Sequence, residues 1–125
     1  MAELRRGDIV KVEVVDPQHR NPKVRPVIIL NPSEDIDAEM ELAAVAITGT
    51  VPDPLPDSFV LLPYHPRGHP RTGLQKRSAA VCDWFLGFAK DDIVRRVGRV
   101  PDKQLRLILE KVGPLPRRPP EFDDE

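Results

Sequence analysis

Fifteen prolines in a chain of 125 residues set the strongest limit on what this sequence can fold into. Proline has no backbone N–H group to donate, so it interrupts the hydrogen-bond ladder of a sheet and marks strand ends and loops. The segments between the prolines are short and rich in β-branched residues. In DIVKVEVV, for example, Val10, Val12 and Val14 share one face, which is typical of a half-buried strand. The chain is therefore predicted to be mainly β.

Five segments have strand character: DIVKVEVV, PVIIL, ELAAVAIT, SFVLL and SAAVCDWFLGF. The alanines of ELAAVAIT also leave a helix possible, and DIVRRVGRV fits either a strand or a helix. One helix is predicted near the end of the chain, with Asp102 as its N-cap and Gly113 as its stop signal. Its apolar residues recur at helical spacing and should pack on the sheet: Leu105, Ile108, Leu109 and Val112.

Residues 1–112 are predicted to form one domain, a small and strongly bent sheet or barrel with a C-terminal helix. Aromatic residues make up only 5% of the chain, so aliphatic side chains must fill the core. Residues 113–125 are rich in proline and acids and are expected to form an extended tail. Functional residues are expected near the long loops, because long loops in compact domains are often functional: Asp16–Val24, Asn31–Met40 and Pro63–Arg77.

The composition excludes several classes of protein. The formal net charge of −1 does not indicate a globally basic nucleic-acid binder, and no apolar run is long enough to cross a bilayer. The N-terminus lacks the apolar core of a signal peptide, and Cys82 is the only cysteine. We therefore expect a soluble cytoplasmic protein without an internal disulfide. The apolar neighbours of Cys82 predict a buried, inert thiol.

No metal or cofactor site is predicted. The sequence has no glycine-rich phosphate loop, no cysteine pair and no HExxH motif. His65 and His69 are four residues apart, but they lie in a proline-rich loop and no neighbouring acid completes a ligand set.

Two polar residues stand at the ends of apolar strands. Arg25 directly precedes PVIIL, and Thr48 ends AVAIT. Arg25 is either a solvated strand-end residue or a cation that a rigid strand holds at the rim of a site, and a threonine at a strand end often caps a turn. If the two strands are neighbours, the guanidinium and the hydroxyl can meet and bind a phosphate group together.

The order of the motifs resembles the PemK/MazF family of toxin endoribonucleases, from about Arg6 to Val112. The motifs that carry the resemblance are Gly7-Asp8, Arg25-Pro26, Thr48, Gly73-Leu74 and Ser78. The resemblance implies an SH3-like barrel with a C-terminal helix, usually a homodimer, and sequence-selective cleavage of single-stranded RNA without a metal. It also implies a small antitoxin protein as partner, with operator DNA bound only by the toxin–antitoxin complex.

The resemblance gives Arg25 and Thr48 the catalytic roles. Asp83 matches the aspartate of an Arg-Cys-Asp segment found in part of the family, although Val81 stands where the arginine would be. The loop DPQHRNPK replaces the Gly-Ser-Glu stretch of many members, and its His19 is a candidate acid or base. RNA contacts are expected from basic and aromatic loop residues: Arg20, Lys23, Tyr64, His65, Arg67, His69, Arg71, Lys76 and Arg77.

In the expected reaction the 2′-hydroxyl of the RNA attacks the adjacent phosphorus, Arg25 stabilises the growing negative charge and Thr48 orients the phosphate. Two other interpretations stay open from the residues alone. The chain is a non-catalytic member of the same fold that binds nucleic acid or protein, or it is a small interaction barrel unrelated to RNA.

Overall fold

The computed structural model describes residues 4–14, 23–36 and 41–113. It contains six strands and one helix: β1 (Asp8–Val14), β2 (Lys23–Ile29), β3 (Glu41–Thr48), β4 (Phe59–Leu62), β5 (Ser78–Ala89), β6 (Ile93–Arg99) and α1 (Asp102–Val112). All strand pairs are antiparallel, and the strands form one sheet in the order β4-β5-β3-β2-β1-β6. The predicted mainly-β fold with a C-terminal helix is confirmed, and DIVRRVGRV is a strand.

The sheet buries apolar side chains on both faces. Ile9 and Ile28, which are paired between β1 and β2, belong to the core that α1 covers. Their neighbours Val10 and Val27 are also paired, and they belong to a second core on the opposite face. Because successive side chains of a strand point to opposite faces, a strand buried on both sides reads as a continuous apolar run. This central position explains the run PVIIL.

Helix α1 packs through the predicted stripe, with Leu105 and Ile108 buried. Its N-cap position is Pro101 and no side chain caps the first turn, so the prediction of Asp102 as N-cap is wrong. The Asp102 carboxylate instead lies in the first turn, where its negative charge interacts favourably with the positive end of the helix dipole. Gly113 ends the helix as predicted, and its amide donates to the Leu109 carbonyl oxygen at 2.9 Å. No helix of the described residues is long and apolar enough to cross a membrane.

Strand β5 contains a three-residue bulge that bends it. Ala46 of β3 pairs with Val81, but the preceding residue Val45 pairs with Phe85, so residues 82–84 have no partner in β3. Before the bulge β5 also pairs with β4, and after it only with β3. Cys82 lies in the bulge and is buried, and burial raises the pKa of its thiol. A buried thiol of raised pKa has little thiolate, which agrees with the predicted inert cysteine.

Asp8 joins the start of β1 to β6 through a buried carboxylate. The side chain is 1% exposed, and its Oδ2 accepts a hydrogen bond from the Arg5 amide at 2.8 Å. Arg96 and Arg99 form ion pairs with the same carboxylate at 3.4 and 3.3 Å. The Gly-Asp motif of the sequence therefore has a structural role in this chain. The predicted tail beyond Gly113 lies outside the described residues.

Replacing Asp8 by alanine should destabilise the fold, because the Arg5 amide and two guanidinium groups lose their common acceptor. We expect the free energy of unfolding to fall by about 2–3 kcal/mol, since the arginines are 40% and 34% exposed and water can solvate them. Urea denaturation measures this loss. Glu13→Ala, an exposed change on the same strand, is the control and should stay within about 0.5 kcal/mol of the parent protein.

Candidate functional site

Arg25 and Thr48 lie at the same end of the β2–β3 pair. The register pairs Val27 with Ala46, and Arg25 comes two residues before Val27 while Thr48 comes two residues after Ala46. Positions two apart on a strand share a face, so the same register continued beyond its last pair would place Arg25 and Thr48 across from each other. Both residues line an open cleft with a volume of about 580 Å³. The structure thus brings the two predicted catalytic residues to one cleft.

The cleft is lined by five cationic residues: Lys11, Lys23, Arg25, Lys76 and Arg95. None of the described residues that line it is acidic, and no carboxylate of the described residues forms an ion pair with any of the five. Lys11 and Arg95 are directly paired across β1 and β6. Like charges opposite each other in a sheet destabilise it, and a bound anion would remove that repulsion. The arrangement is that of an anion-binding site.

The loop between β4 and β5 forms one wall of the cleft and is held by a buried threonine. Thr72 is fully buried, its Oγ1 donates to the Pro63 carbonyl oxygen at 2.8 Å, and the Leu74 amide donates to the same Oγ1 at 3.1 Å. Gly73 has a φ of 72°, a conformation that favours glycine. A Cβ at this position would also collide with the Val97 carbonyl oxygen of β6. The loop is therefore seated against β6.

Gly49 allows Lys76 to lie over the end of β3. An ideal Cβ built on Gly49 would be 2.9 Å from Lys76 Cε and 3.0 Å from its Nζ, which is closer than real contacts of a Cβ. The missing side chain therefore leaves room for the end of the Lys76 side chain next to Gly49. Lys76 is exposed on its other side, so the charge stays available to a ligand in the cleft.

Thr48 lines the cleft, and its hydroxyl takes part in a turn. The Thr50 amide donates to Thr48 Oγ1 at 3.1 Å, and Oγ1 in turn donates weakly to the Thr50 carbonyl oxygen at 3.4 Å. Thr48 therefore does cap a turn, as one of the two interpretations of the sequence has it, because its Oγ1 accepts the hydrogen bond from the Thr50 amide. The weak, exposed donor bond is the one that a phosphate oxygen could replace.

Arg25 contacts an aromatic ring as well as the cleft. Its guanidinium carbon lies 5.3 Å from the centre of the Trp84 ring, within the range of a cation–π interaction. Trp84 is in the bulge of β5, and the bulge brings this side chain next to β2. The ring restricts where the guanidinium can go, so Arg25 is more than a solvated strand-end residue.

Several predicted RNA-binding residues have other positions or other bonds. His65 Nδ1 accepts the Arg67 amide at 3.1 Å, and His69 Nδ1 accepts the Arg71 and Thr72 amides at 3.1 and 3.3 Å. Both rings thus stabilise the turns of their own loop. The residues of the predicted set that do not line the cleft are Tyr64, His65, Arg67, His69, Arg71 and Arg77.

Asp83 is exposed in the bulge and does not line the cleft. His19 and Arg20 lie outside the described residues. Among the described residues, no group of three or more His, Cys, Asp or Glu side chains is placed to hold a metal ion.

Sequence reasoning missed Lys11 and Arg95, which complete the cation cluster. In the sequence Lys11 is a polar residue between Val10 and Val12, which are buried. The alternation of polar and apolar residues by itself indicates only that such a residue is exposed to solvent. It also missed Ser78 as a residue of the cleft wall, where Oγ donates to the Lys76 carbonyl oxygen at 2.9 Å. This bond holds the backbone that carries the Lys76 ammonium group.

Comparison with known proteins gives one family and a set of similar structures. Residues 5–115 match the family model of the PemK-like, MazF-like toxin of type II toxin-antitoxin systems. A search of curated proteins finds no significant match. Among solved structures, a MazE-MazF complex from Deinococcus radiodurans is 17% identical and superposes with a TM-score of 0.70, covering 90% of this chain and 95% of its own.

Two mycobacterial structures are also similar. The Mycobacterium tuberculosis toxin MazF-mt6 is 22% identical, with a TM-score of 0.66 over 85% of this chain and 92% of its own. An endoribonuclease in complex with its cognate antitoxin, from a mycobacterial species, is 18% identical, with a TM-score of 0.66 over 90% of this chain and 99% of its own. At these identities the likeness is one of fold.

Inorganic triphosphate should bind the cleft and stabilise the protein, because it neutralises cations that otherwise repel one another. At ten times its dissociation constant we expect about 1.4 kcal/mol of added stability and a Tm higher by about 5 °C. Differential scanning fluorimetry measures the shift. Lys76→Gln and Arg95→Gln should each reduce it at a fixed triphosphate concentration, whereas Lys103→Gln on α1 should not. An equal reduction by all three substitutions would contradict a localised site.

Proposed function

Because the chain belongs to the PemK-like, MazF-like toxin family of type II toxin-antitoxin systems, we propose that it is an endoribonuclease that cleaves single-stranded RNA in the cationic cleft. The family match confirms the resemblance found in the sequence. The observation that carries the proposal is that Arg25 and Thr48, from two neighbouring strands, both line a cleft with five cations and no acid among its described lining residues. Solved structures of this fold include proteins described as endoribonucleases.

RNA carries its own nucleophile, and the cleft supplies what the reaction then needs. The 2′-oxygen forms a bond to the adjacent phosphorus while the bond from phosphorus to the 5′-oxygen breaks. The 2′-hydroxyl loses a proton and the leaving 5′-oxygen gains one, which gives a 2′,3′-cyclic phosphate and a 5′-hydroxyl. Arg25 stabilises the negative charge that grows on the non-bridging oxygens, and the Lys76 ammonium, which lies near Gly49 in the same cleft, adds to that field.

Thr48 orients the phosphate through its hydroxyl hydrogen, since the Thr50 amide already occupies part of its acceptor capacity. His19 is a candidate for a proton transfer, as the loop composition suggests. The resemblance also suggests Asp83, which is the weaker candidate because it does not line the cleft. RNA on either side of the cut is proposed to follow Lys23 and the outer loop residues, with Arg20, Tyr64, Arg67, Arg71 and Arg77 as peripheral contacts.

The proposed partners follow from the family. Similar toxins have been solved with a cognate antitoxin, and we propose that a small antitoxin protein neutralises this chain and that operator DNA is bound only by the complex. We also propose a homodimer, because a small barrel with few aromatics has a limited core and gains stability by association. We propose residues 1–112 as the catalytic domain, 113–125 as a tail, and the cytoplasm as the place of action.

Removing either central side chain should abolish cleavage without unfolding the protein. Arg25→Ala and Thr48→Val should each lower the cleavage rate about 100-fold or more, because each removes a group that acts on the reacting phosphate. Cleavage of a long labelled RNA, with mapping of 5′-hydroxyl ends, measures the effect. Thr48→Ser should recover most of the rate, and Arg106→Ala on α1 is the charge control. Full activity in Arg25→Ala would contradict the assignment, and RNA binding without cleavage by the parent protein would support the non-catalytic alternative.

Cleavage should require the 2′-hydroxyl at the cut and should not require a metal ion. An RNA with a single 2′-deoxy nucleotide immediately 5′ of the mapped cut should resist cleavage, because the attacking oxygen is missing, while deoxy substitutions elsewhere should be tolerated. Excess chelator should leave the rate unchanged, because Arg25 and the other cations supply the positive charge. Inhibition by chelator that a divalent ion reverses would refute the independence of a metal ion. Equal cleavage of the deoxy-substituted strand would refute the requirement for the 2′-hydroxyl.

A further inference from the structure

Trp84 has three properties that its packing does not require. It is the only tryptophan of the chain, it is 39% exposed, and its ring lies against the guanidinium group of Arg25. It belongs to neither of the two apolar cores, although tryptophan offers more apolar surface than any other residue of this protein. The side chain is therefore partly exposed beside Arg25, a residue that lines the cleft, instead of being buried.

The bulge of β5 accounts for this position. Residues 82–84 have no partner in β3, so the alternation that would direct side chains along an unbroken ladder is interrupted there. Cys82 turns into the core while Trp84 comes to Arg25, which itself lines the cleft. A ligand held by Arg25 is consequently next to an exposed indole ring.

We propose that Trp84 is a stacking platform for one nucleobase of the bound strand, the base adjacent to the phosphate that Arg25 holds. This inference rests on the proposed function and adds a base subsite to it. Every nucleobase has a π-face, and single strands are commonly held by a combination of cations for the phosphates and aromatic rings for the bases. Arg25 and Trp84 supply one of each in direct contact.

The charges around the ring favour a nucleic acid as its occupant over a second copy of the chain. Arg25 lies on the ring and also lines the cleft, whose described lining residues include four more cations and no acid; Asp83, next to Trp84 in the chain, is exposed and does not line the cleft. A second copy pairing symmetrically through this edge would bring its own cations to the same place. A polyanion instead neutralises them while its bases cover the apolar ring.

The single tryptophan makes the proposal directly measurable in the unaltered protein. Deoxyribo-oligonucleotides of about 12 nucleotides, which lack the 2′-hydroxyl and are not cleaved by the proposed mechanism, serve as probes. Binding is followed by anisotropy of a terminal dye and, separately, by Trp84 fluorescence with unlabelled strands. We expect quenching of Trp84 fluorescence with the same dissociation constant as the anisotropy change.

A base-deletion series then identifies the stacked nucleotide. Trp84→Leu should weaken binding about tenfold, Trp84→Phe should recover most of it, and Phe85→Leu, the neighbouring exposed aromatic, should have no effect. One abasic position in the strand should abolish the difference between the parent protein and Trp84→Leu, while abasic sites elsewhere should preserve it. Thermal unfolding of each variant separates loss of the fold from loss of the contact.

Two results would overturn the stacking proposal and leave the function standing: binding by anisotropy without a change in Trp84 fluorescence, and a Trp84→Leu effect that no abasic position removes. Fluorescence that responds to dilution of the protein but not to oligonucleotide would assign the ring to a contact between copies. Absence of both oligonucleotide binding and RNA cleavage would refute the proposed function, and the stacking proposal with it.

Discussion

The bulge of β5 is the constraint on which the rest of the molecule depends. The twelve-residue β5 pairs with the four-residue β4 only before the bulge, whereas it pairs with β3 on both sides of it. By leaving three residues unpaired, β5 completes the core around α1 with its first half and the opposite core with its second half. The same three residues bury Cys82 and bring Trp84 to Arg25. The geometry of the fold and of the candidate site thus share one origin.

The separation of charges is a second consequence of strand geometry. Arg95 and Arg96 are consecutive in β6 and so point to opposite faces. Arg96 forms an ion pair with the buried Asp8, which links β6 to the start of β1. Arg95 instead lines the cleft and is paired with Lys11. One arginine therefore stabilises the fold and its neighbour contributes charge to the site. A carboxylate within the cleft would have neutralised the second group and with it the attraction for an anion.

Much of the fold was predictable, because strands β1 to β5 are bounded by prolines and turns and have local patterns of their own. The helix stripe and the burial of Cys82 followed from neighbours in the sequence. The bulge did not, since a register shift depends on pairing between β3 and β5, about forty residues apart. The contact of Trp84 with Arg25 was missed for that reason, and the Lys11–Arg95 pair was missed because it depends on the pairing of β1 with the distant β6. At His65 and His69 the backbone amides of their own loop donate to Nδ1, a bond that composition cannot reveal, and RNA contact by the remainder of each ring stays a prediction.

The five cations of the cleft also determine which ions surround the protein when no ligand is bound. Unpaired charges at this density hold small anions from the solution near them, and a nucleic-acid strand carries its own shell of cations. When the strand enters the cleft, both sets of ions return to the solvent, and their gain in entropy drives association. Each phosphate neutralised on a single strand changes the salt exponent by about 0.7, so affinity falls steeply as salt rises. In the proposed function, substrate capture is thereby coupled to the ionic composition of the surroundings, while the proposed bond-breaking step, inside the occupied cleft, is largely independent of it.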